Sequence, residues 1–199
     1  MGEPKLRMGA EEYLAFDRAA ADKHELWDGE VFAMSGASLA HNRIVRNFIR
    51  HLGNALAGMG CEVLPSDMRV RIKALRRYVY PDVTIVCGRP HLEGGEADVL
   101  LNPSLIIEVL SPSTEAFDRG EKFAGYRSLP SVNEVVLVSQ DERRVECYTR
   151  HMDDSWILRE RTGDGAVQLG PLAEPLLLGW IYEGVELEAD DGSEEVALQ

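Results

Sequence analysis

Helical patterns occur in three segments of the chain. Residues 9–23 are rich in good helix formers, residues 38–59 carry an apolar stripe at helical spacing, and residues 118–128 form a weaker candidate. The stripe of the second segment consists of Ile44, Val45, Phe48, Ile49, Leu52 and Leu56. Ser38 can cap the N-terminus of this segment. The pattern therefore predicts one long amphipathic helix and two shorter helices.

Between these helices, short runs of apolar residues predict strands. Asp28-Gly29 lies between two such runs and predicts a hairpin over residues 24–35. Further strands are predicted at residues 61–64, 68–72, 79–87, 104–110, 134–139, 143–149, 156–161 and 166–169. The polar stretch 88–103 is predicted to be a loop, and loops of this length are often functional. The order of elements predicts a single α/β domain over residues 1–188, with the hairpin near its N-terminus.

Composition is that of a soluble globular protein with an acidic end. The 199 residues are enough for one domain with a substantial core. No apolar run has the length of a membrane span and no signal-peptide segment is evident, so we expect a cytoplasmic protein without membrane contact. Nine acidic residues follow Arg161 and account for all but −4 of the net charge of −13. Residues 189–199 are predicted to be a loose acidic tail. Charge therefore neither favours nor excludes a nucleic-acid partner.

The three cysteines are Cys61, Cys87 and Cys147. Their number is odd, no two form a CxxC pattern, and each lies in or beside an apolar run. We therefore expect three buried, reduced thiols, and neither a zinc site nor a disulfide.

Two acidic residues interrupt strand-like apolar runs. Asp82 begins the run of residues 83–86, and Glu108 stands in the middle of residues 105–110. A buried carboxylate is costly unless it is neutralised, and Mg²⁺ or Mn²⁺ with oxygen ligands would do so. If the two strands pair, both carboxylates can face one edge of the sheet. A salt bridge or a helix cap is the alternative for either acid alone.

Several other residues are candidates for supporting roles. Lys122 follows Asp118 by four positions, so it either forms a surface ion pair or reaches back to position water or stabilise charge on a phosphate. Glu25 and Asp67 are candidate further ligands or water-orienting groups, and Asp118 and Ser111, which follows the Glu108 strand, are candidate accessory residues of the same site. A structural role is the simpler interpretation for each of these residues taken alone.

Basic residues form two candidate phosphate-contacting sets. Arg69, Arg71 and Lys73 alternate and are predicted to share one face of a strand. Arg43, Arg46 and Arg50 are spaced for one face of the long helix. Solvated surfaces explain both sets equally well.

Short motifs throughout the chain carry a family resemblance. They are Glu-Leu-Trp-Asp-Gly-Glu (25–30), Met34-Ser35 with His41, Ser66-Asp67, Pro81-Asp82-Val83, Glu-Val-Leu-Ser-Pro-Ser-Thr (108–114), Asp118-Arg-Gly-Glu-Lys122, Tyr126 and Val132-Asn-Glu134. Together they resemble the Uma2 family of restriction-endonuclease-like proteins, within the PD-(D/E)XK nuclease superfamily. The resemblance extends from about residue 10 to about residue 185.

The resemblance implies a fold and an active site. It implies a mixed β-sheet flanked by helices, with Asp82 and Glu108 as metal-binding acids and His41 nearby. The superfamily usually places a lysine two residues after the second acid, where this chain has Leu110. The lysine of this family corresponds instead to Lys122.

These observations lead to one main hypothesis and two alternatives. We expect a Mg²⁺- or Mn²⁺-dependent endonuclease that hydrolyses DNA phosphodiester bonds, with Asp82, Glu108 and Lys122 as catalytic residues. By analogy with nucleases of this fold, we expect a homodimer. The alternatives are a catalytically inactive nuclease-like binding module and a hydrolase of small phosphoesters.

Overall fold

The structure is a computed structural model that describes residues 6–187, so the predicted acidic tail lies outside the described residues. Its strands are β1 (Leu6–Arg7), β2 (His24–Trp27), β3 (Glu30–Ala33), β4 (Cys61–Pro65), β5 (Arg69–Ile72), β6 (Arg77–Val79), β7 (Val83–Cys87), β8 (Val99–Leu100), β9 (Leu105–Leu110), β10 (Glu134–Ser139), β11 (Arg144–Arg150), β12 (Trp156–Thr162), β13 (Ala166–Val167) and β14 (Leu176–Leu177). Its α-helices are α1 (Ala10–Ala19), α2 (Leu39–Ala55), α3 (Glu115–Phe117), α4 (Phe123–Arg127) and α5 (Leu178–Ile181). A π-helical turn (Asp118–Lys122) joins α3 to α4, and a 3₁₀ turn (Lys73–Leu75) follows β5.

The strands form two six-stranded sheets and one small hairpin. Sheet A has the order β1-β3-β2-β6-β5-β8, and sheet B has the order β12-β11-β10-β9-β7-β4. Both sheets are mixed, because β5 and β8 are parallel in sheet A and β9 and β10 are parallel in sheet B. The mixed α/β fold and the N-terminal hairpin, which is β2–β3, are therefore confirmed.

Apolar side chains on both faces of sheet B hold the layers together. Helix α2 and the C-terminal segment cover one face, where alternate residues of β9 such as Leu105 and Ile107 join the core. Helix α4 and sheet A cover the other face, which receives Ile106 and Leu110. Since Glu108 has the parity of these two residues, its side chain points toward α4 and sheet A.

A close approach of α4 to sheet A fixes the distance between these layers. A Cβ atom at Gly125 would lie 2.9 Å from Ile72 Cδ1, so glycine permits the contact between this helix and β5. Helix α1 covers the other side of sheet A, where Tyr13 packs against Leu26 and Tyr78. None of the described helices has the combined length and apolar character needed to cross a bilayer.

The prediction of one continuous strand over residues 79–87 was wrong. Strand β6 ends at Val79 in sheet A and β7 begins at Val83 in sheet B, so residues 80–82 pass from one sheet to the other. Pro81 explains the break, since it has no N–H to donate to a strand ladder. The predicted loop 88–103 also contains the short buried strand β8.

The prediction of three reduced thiols was wrong for two of the cysteines. Cys61 and Cys87 form a disulfide, and they stand directly opposite one another in the antiparallel β4–β7 pair. This register brings together two thiols that are 26 residues apart, and no local spacing in the sequence reveals it. Cys147 is a buried free thiol, and burial raises its pKa to about 12, which makes the thiol unreactive near neutral pH.

Candidate active site

Asp82 and Glu108 lie side by side where β7 and β9 pair. The antiparallel register aligns Val83 with Ile107, which places the preceding Asp82 beside Glu108. The Asp82 backbone N–H points at Glu108 Oε2 at 3.4 Å, and Asp82 Oδ2 accepts a hydrogen bond from the Val109 N–H at 2.8 Å. The strand pairing thus brings together the two carboxylates that were predicted to act as a pair.

Lys122 lies against these acids from the helical layer. Its Nζ is 2.9 Å from Glu108 Oε1, 3.4 Å from Glu25 Oε1 and 3.7 Å from Asp118 Oδ1. Lys122 and Asp118 occupy the π-helical turn, in which the Phe123 N–H donates to the Asp118 carbonyl oxygen five residues earlier. Single π turns inside helices often occur at functional sites. The side chains of Asp118 and Lys122 are both buried.

Sheet A contributes Glu25, which two donors hold in place. Trp27 Nε1 donates to Glu25 Oε2 at 3.0 Å, and the Tyr80 N–H donates to Glu25 Oε1 at 3.0 Å. The same Oε1 atom is the one that Lys122 approaches. The ammonium group is therefore held between a carboxylate of each sheet. The carboxylate cluster consists of Glu25, Asp82, Glu108 and Asp118 with Lys122 among them.

Charges in the carboxylate cluster do not balance. Burial, with a smaller contribution from the carboxylates of Asp82 and Asp118, raises the pKa of Glu108 to about 8 even though Lys122 opposes the rise. Burial opposes the charge of Lys122, but Glu108 and Glu25 nevertheless raise its pKa well above the usual value. The lysine is thus one fixed positive charge among four acidic side chains, and a bound divalent cation would favour the ionised form of Glu108.

Two carboxylate oxygens of the pair keep acceptor capacity for such a cation. Glu108 Oε1 binds Lys122 and the Tyr126 hydroxyl, whereas among the described residues Glu108 Oε2 has only the long contact with the Asp82 N–H. Asp82 Oδ2 accepts two hydrogen bonds, and within residues 6–187 its Oδ1 accepts none. No three His, Cys, Asp or Glu side chains in that range converge as a ligand set. The site fits Mg²⁺ or Mn²⁺, which are commonly held by one or two carboxylates while water and substrate phosphate supply the remaining ligands.

His41 lies next to the pair, as the family resemblance implied. Its Nε2 is 3.1 Å from Asp82 Oδ2, and its Nδ1 finds no hydrogen-bond partner in the described part of the chain. These contacts favour the tautomer in which Nε2–H donates to Asp82. Ser38 Oγ accepts the His41 backbone N–H at 3.0 Å, so the predicted cap of α2 fixes the position of this histidine.

Comparison with known proteins identifies the family of this chain. The family model "Uma2: Putative restriction endonuclease" matches residues 10–180. The chain belongs to the Uma2 family. Two Synechocystis sp. proteins are similar to it: sll1609 is 38% identical, with 79% of this chain and 89% of the relative aligned, and slr1290 is 31% identical, with 92% and 95% aligned. Both are named as uncharacterized proteins.

A solved structure shares the fold of this Uma2 chain. It is a crystal structure described as a "putative nuclease belonging to DUF820" from Anabaena variabilis, with a TM-score of 0.72 and 14% sequence identity. The similarity covers 90% of this chain and 99% of that protein. At this identity the comparison establishes the nuclease-like fold and nothing about the chemistry of individual residues.

Sequence reasoning counted Tyr126 among the Uma2 family motifs but gave it no role in the candidate site. Its hydroxyl donates to Glu108 Oε1, and the residue is fully buried. Burial and the Glu108 carboxylate raise the pKa of Tyr126 well above its usual value, so the hydroxyl keeps its proton and acts as a donor. The spacing of Asp118, Lys122 and Tyr126 at intervals of four residues was the available signal, since such residues share one helix face.

Tyr126→Phe is expected to lower the free energy of unfolding by about 1–3 kcal/mol, because Glu108 loses a buried donor. Urea denaturation measures the change. Tyr148→Phe is the matched control, because the Tyr148 hydroxyl donates to Glu146, whose carboxylate keeps two bonds from Arg119. An equal or larger loss in the Tyr148 variant would contradict a special role for the Tyr126 hydroxyl.

Two of the predicted accessory residues lie outside the carboxylate cluster. Asp67 has a side chain that is 81% exposed and pairs with Lys23 at 2.6 Å. Ser111 Oγ bonds to the hydroxyls of Ser113 and Thr114 at 3.1 and 2.9 Å. Within residues 6–187, neither Asp67 nor Ser111 makes a hydrogen bond or ion pair with the cluster.

The predicted phosphate-contacting residues of β5 are mostly engaged inside the protein. Arg69 is buried and donates through Nε and Nη2 to Asp17 at 2.9 and 2.7 Å. Arg71 forms an ion pair with Glu93, and only Lys73, in the 3₁₀ turn, is exposed. The three residues do not share a solvated strand face, because α1 and the segment before β8 supply acids to that side of sheet A.

Proposed function

We propose that this Uma2 protein is a Mg²⁺- or Mn²⁺-dependent endonuclease that hydrolyses phosphodiester bonds in DNA. The main support is the pair of carboxylates, Asp82 and Glu108, on adjacent strands beside the buried ammonium of Lys122. The family description and the nuclease-like fold support the same class of activity. DNA as substrate and a homodimeric assembly are part of this proposal.

Asp82 Oδ1 and Glu108 Oε2 would hold the metal. When bound, a divalent metal in such a site lowers the pKa of water and neutralises charge on the scissile phosphate. His41 Nε2–H and the Val109 N–H would orient the Asp82 carboxylate through its other oxygen. Tyr126 would do the same for Glu108, leaving Oε2 directed toward the metal position.

Lys122 would act as a preformed positive charge. Glu25 and Asp118 hold its ammonium beside Glu108 before any substrate is present, so little reorganisation is needed when a phosphate arrives. From this position the ammonium would orient the attacking water or stabilise the charge that develops on the phosphate. Glu25 is therefore assigned as a positioning residue, whose own orientation comes from Trp27 and the Tyr80 N–H.

One observation favours a binding module without turnover. The Lys122 ammonium already contacts three carboxylates, and its side chain is only 8% exposed. A lysine in this position could serve only to neutralise buried acids. In that case the same fold would bind nucleic acid or another partner without cleaving it.

Calorimetric titration of the metal-free protein with Mn²⁺ tests the proposal. We expect saturable binding in the wild type, and binding lowered by about tenfold or more in Glu108→Gln, which keeps the side-chain volume and loses a charge. Cleavage of plasmid DNA, RNA and small phosphodiesters in Mn²⁺ then defines the substrate. The absence of both Mn²⁺ binding and cleavage would favour the binding module, and cleavage restricted to small phosphodiesters would favour the small-phosphoester hydrolase.

A further inference from the structure

A cleft on the opposite face of sheet B has no part in the proposed reaction. It has a volume of about 360 Å³, within the range of small-molecule sites, and an adjoining recess adds about 250 Å³. The segment after β13 forms one wall, and strands β10, β11 and β12 form the floor. We call it the Glu134 cleft, and the residues that line it are Glu134, Cys147, Thr149, Arg159, Arg161, Val167, Gln168 and Gly170.

The Glu134 cleft is separate from the carboxylate cluster. In the parallel β9–β10 pair, Glu134 stands beside Leu105, and Leu137 stands beside Glu108. Three residues along a strand correspond to about 10 Å. Glu134 also has the parity of Val136, which faces α2, whereas Glu108 faces α4. The two sites therefore lie on opposite faces of the same sheet.

Glu134 is a buried carboxylate with acceptor capacity left over. The residue is 5% exposed, and it accepts the Gly170 N–H at 2.7 Å through Oε2 and the Thr149 hydroxyl at 3.3 Å through Oε1. A carboxylate has about four acceptor positions, so two remain to face the cleft. Burial raises the pKa of Glu134, while the hydrogen bonds from Gly170 and Thr149 and the charge of Arg159 oppose the rise. The Val132-Asn133-Glu134 motif, which the metal site does not use, places the carboxylate here.

Two arginines supply the opposite charge at the rim. Arg159 and Arg161 alternate on β12, and their partners across the strand pair are Cys147 and Val145, which face α2. Both residues are exposed. Within residues 6–187, neither guanidinium forms an ion pair, and Arg161 donates only to the neighbouring Glu160 carbonyl oxygen at 2.7 Å.

We propose that the Glu134 cleft binds a guanine nucleotide. The two oxygens of the Glu134 carboxylate would accept the adjacent N–H groups on the Watson–Crick edge of guanine, as base-reading pockets do. Val167 and Cys147 provide apolar surface for the base. Arg159 and Arg161 would bind the phosphate, for which guanidinium geometry is well suited. Glu134 and Arg159 are two strands and two residues apart, about 12 Å between their backbone positions, so the ligand must carry its donor edge and its anion at opposite ends.

The guanine nucleotide has two sources, a free mononucleotide and a nucleotide within a nucleic acid. Calorimetry of the full chain in metal-free buffer, with GMP, AMP and guanosine as probes, tests for the shared chemistry. We expect saturable binding of GMP and about tenfold weaker binding of AMP, which lacks the donor pair. A short single-stranded oligodeoxynucleotide with one guanine then serves as competitor. Displacement of GMP assigns the site to nucleic acid, and no displacement assigns it to the free nucleotide.

Variants test separately the recognition of the base and the recognition of the phosphate. Glu134→Gln keeps an acceptor for the Gly170 N–H and is expected to weaken GMP binding about tenfold or more. The double variant Arg159→Ala/Arg161→Ala is expected to weaken GMP binding by a similar factor and to leave guanosine binding unchanged. Arg143→Ala is the control, since it removes an exposed arginine that pairs with Asp164. Asp82→Ala should leave GMP binding unchanged, so this test does not depend on nuclease activity. Absence of GMP binding, or GMP binding that is unchanged in Glu134→Gln, would overturn the proposal.

Discussion

Asp82→Ala is expected to abolish Mn²⁺-dependent DNA cleavage, with a loss on the order of 10³-fold, while the protein remains folded. The expected size follows from the several kcal/mol of transition-state stabilisation that a catalytic metal supplies. The fold should survive because the variant also removes a carboxylate beside Glu108, which relieves repulsion inside the carboxylate cluster. Cleavage rates on plasmid DNA and urea denaturation measure the two effects.

A matched control makes the Asp82 result specific. Asp67→Ala also deletes one aspartate, but this side chain is exposed and pairs with Lys23 outside the carboxylate cluster. Its cleavage rate and stability should be close to those of the wild type. Cleavage by Asp82→Ala at the rate of Asp67→Ala would show that the metal site lies elsewhere.

Lys122→Met is expected to lower the free energy of unfolding by about 3–5 kcal/mol near neutral pH, because it leaves buried carboxylates without their cation. Methionine keeps most of the side-chain length, so the loss reflects charge more than packing. Lys23→Met is the control, since that lysine is 37% exposed and pairs with an exposed aspartate, and it should lose no more than about 1 kcal/mol. Urea denaturation of both variants gives the comparison.

The stability of the Lys122→Met variant should depend on pH in a defined direction. Burial already raises the pKa of Glu108 in the folded protein, and Lys122 opposes that rise, so its removal raises the pKa further. The folded protein then binds a proton more tightly than the unfolded chain, whose Glu pKa is near 4.5. Stability is therefore greatest below that pH and falls as the pH rises through the folded pKa.

Mn²⁺ provides a second readout for the Lys122 variant. If Asp82 and Glu108 bind the metal, Mn²⁺ should restore part of the lost stability at neutral pH by linkage. A variant that is as stable as the wild type at neutral pH would show that the carboxylates do not depend on Lys122. A destabilised variant that gains nothing from Mn²⁺ would argue against a metal at this pair.

Much of the candidate site could be predicted from the sequence, because apolar runs identify strands and a polar residue within such a run is conspicuous. Asp82 and Glu108 were singled out in this way, Lys122 by its spacing from Asp118, and the family motifs pointed to the same three residues. The sequence did not show that the strands of Asp82 and Glu108 pair, which had to be assumed. Periodicity indicates which residues share a face of a strand but not which strands are neighbours.

Features that depend on distant strands could not be predicted. The Cys61–Cys87 disulfide follows from the β4–β7 register, and the internal pairing of Arg69 follows from the contact of α1 with sheet A. The division into two sheets was missed because β6 and β7 are joined by only three residues, which resemble one strand in sequence. Local patterns contain no information about which sheet a strand joins.

The three-residue passage between the sheets also makes the site depend on both sheets at once. Its first residue, Tyr80, binds Glu25 of sheet A, and its last, Asp82, binds Val109 of sheet B. Lys122 needs both sheets in place before its ammonium has its full set of partners. A partly folded chain with only one completed sheet would therefore lack the assembled centre. On the proposed function, a chain in which either sheet is incomplete would not cleave DNA.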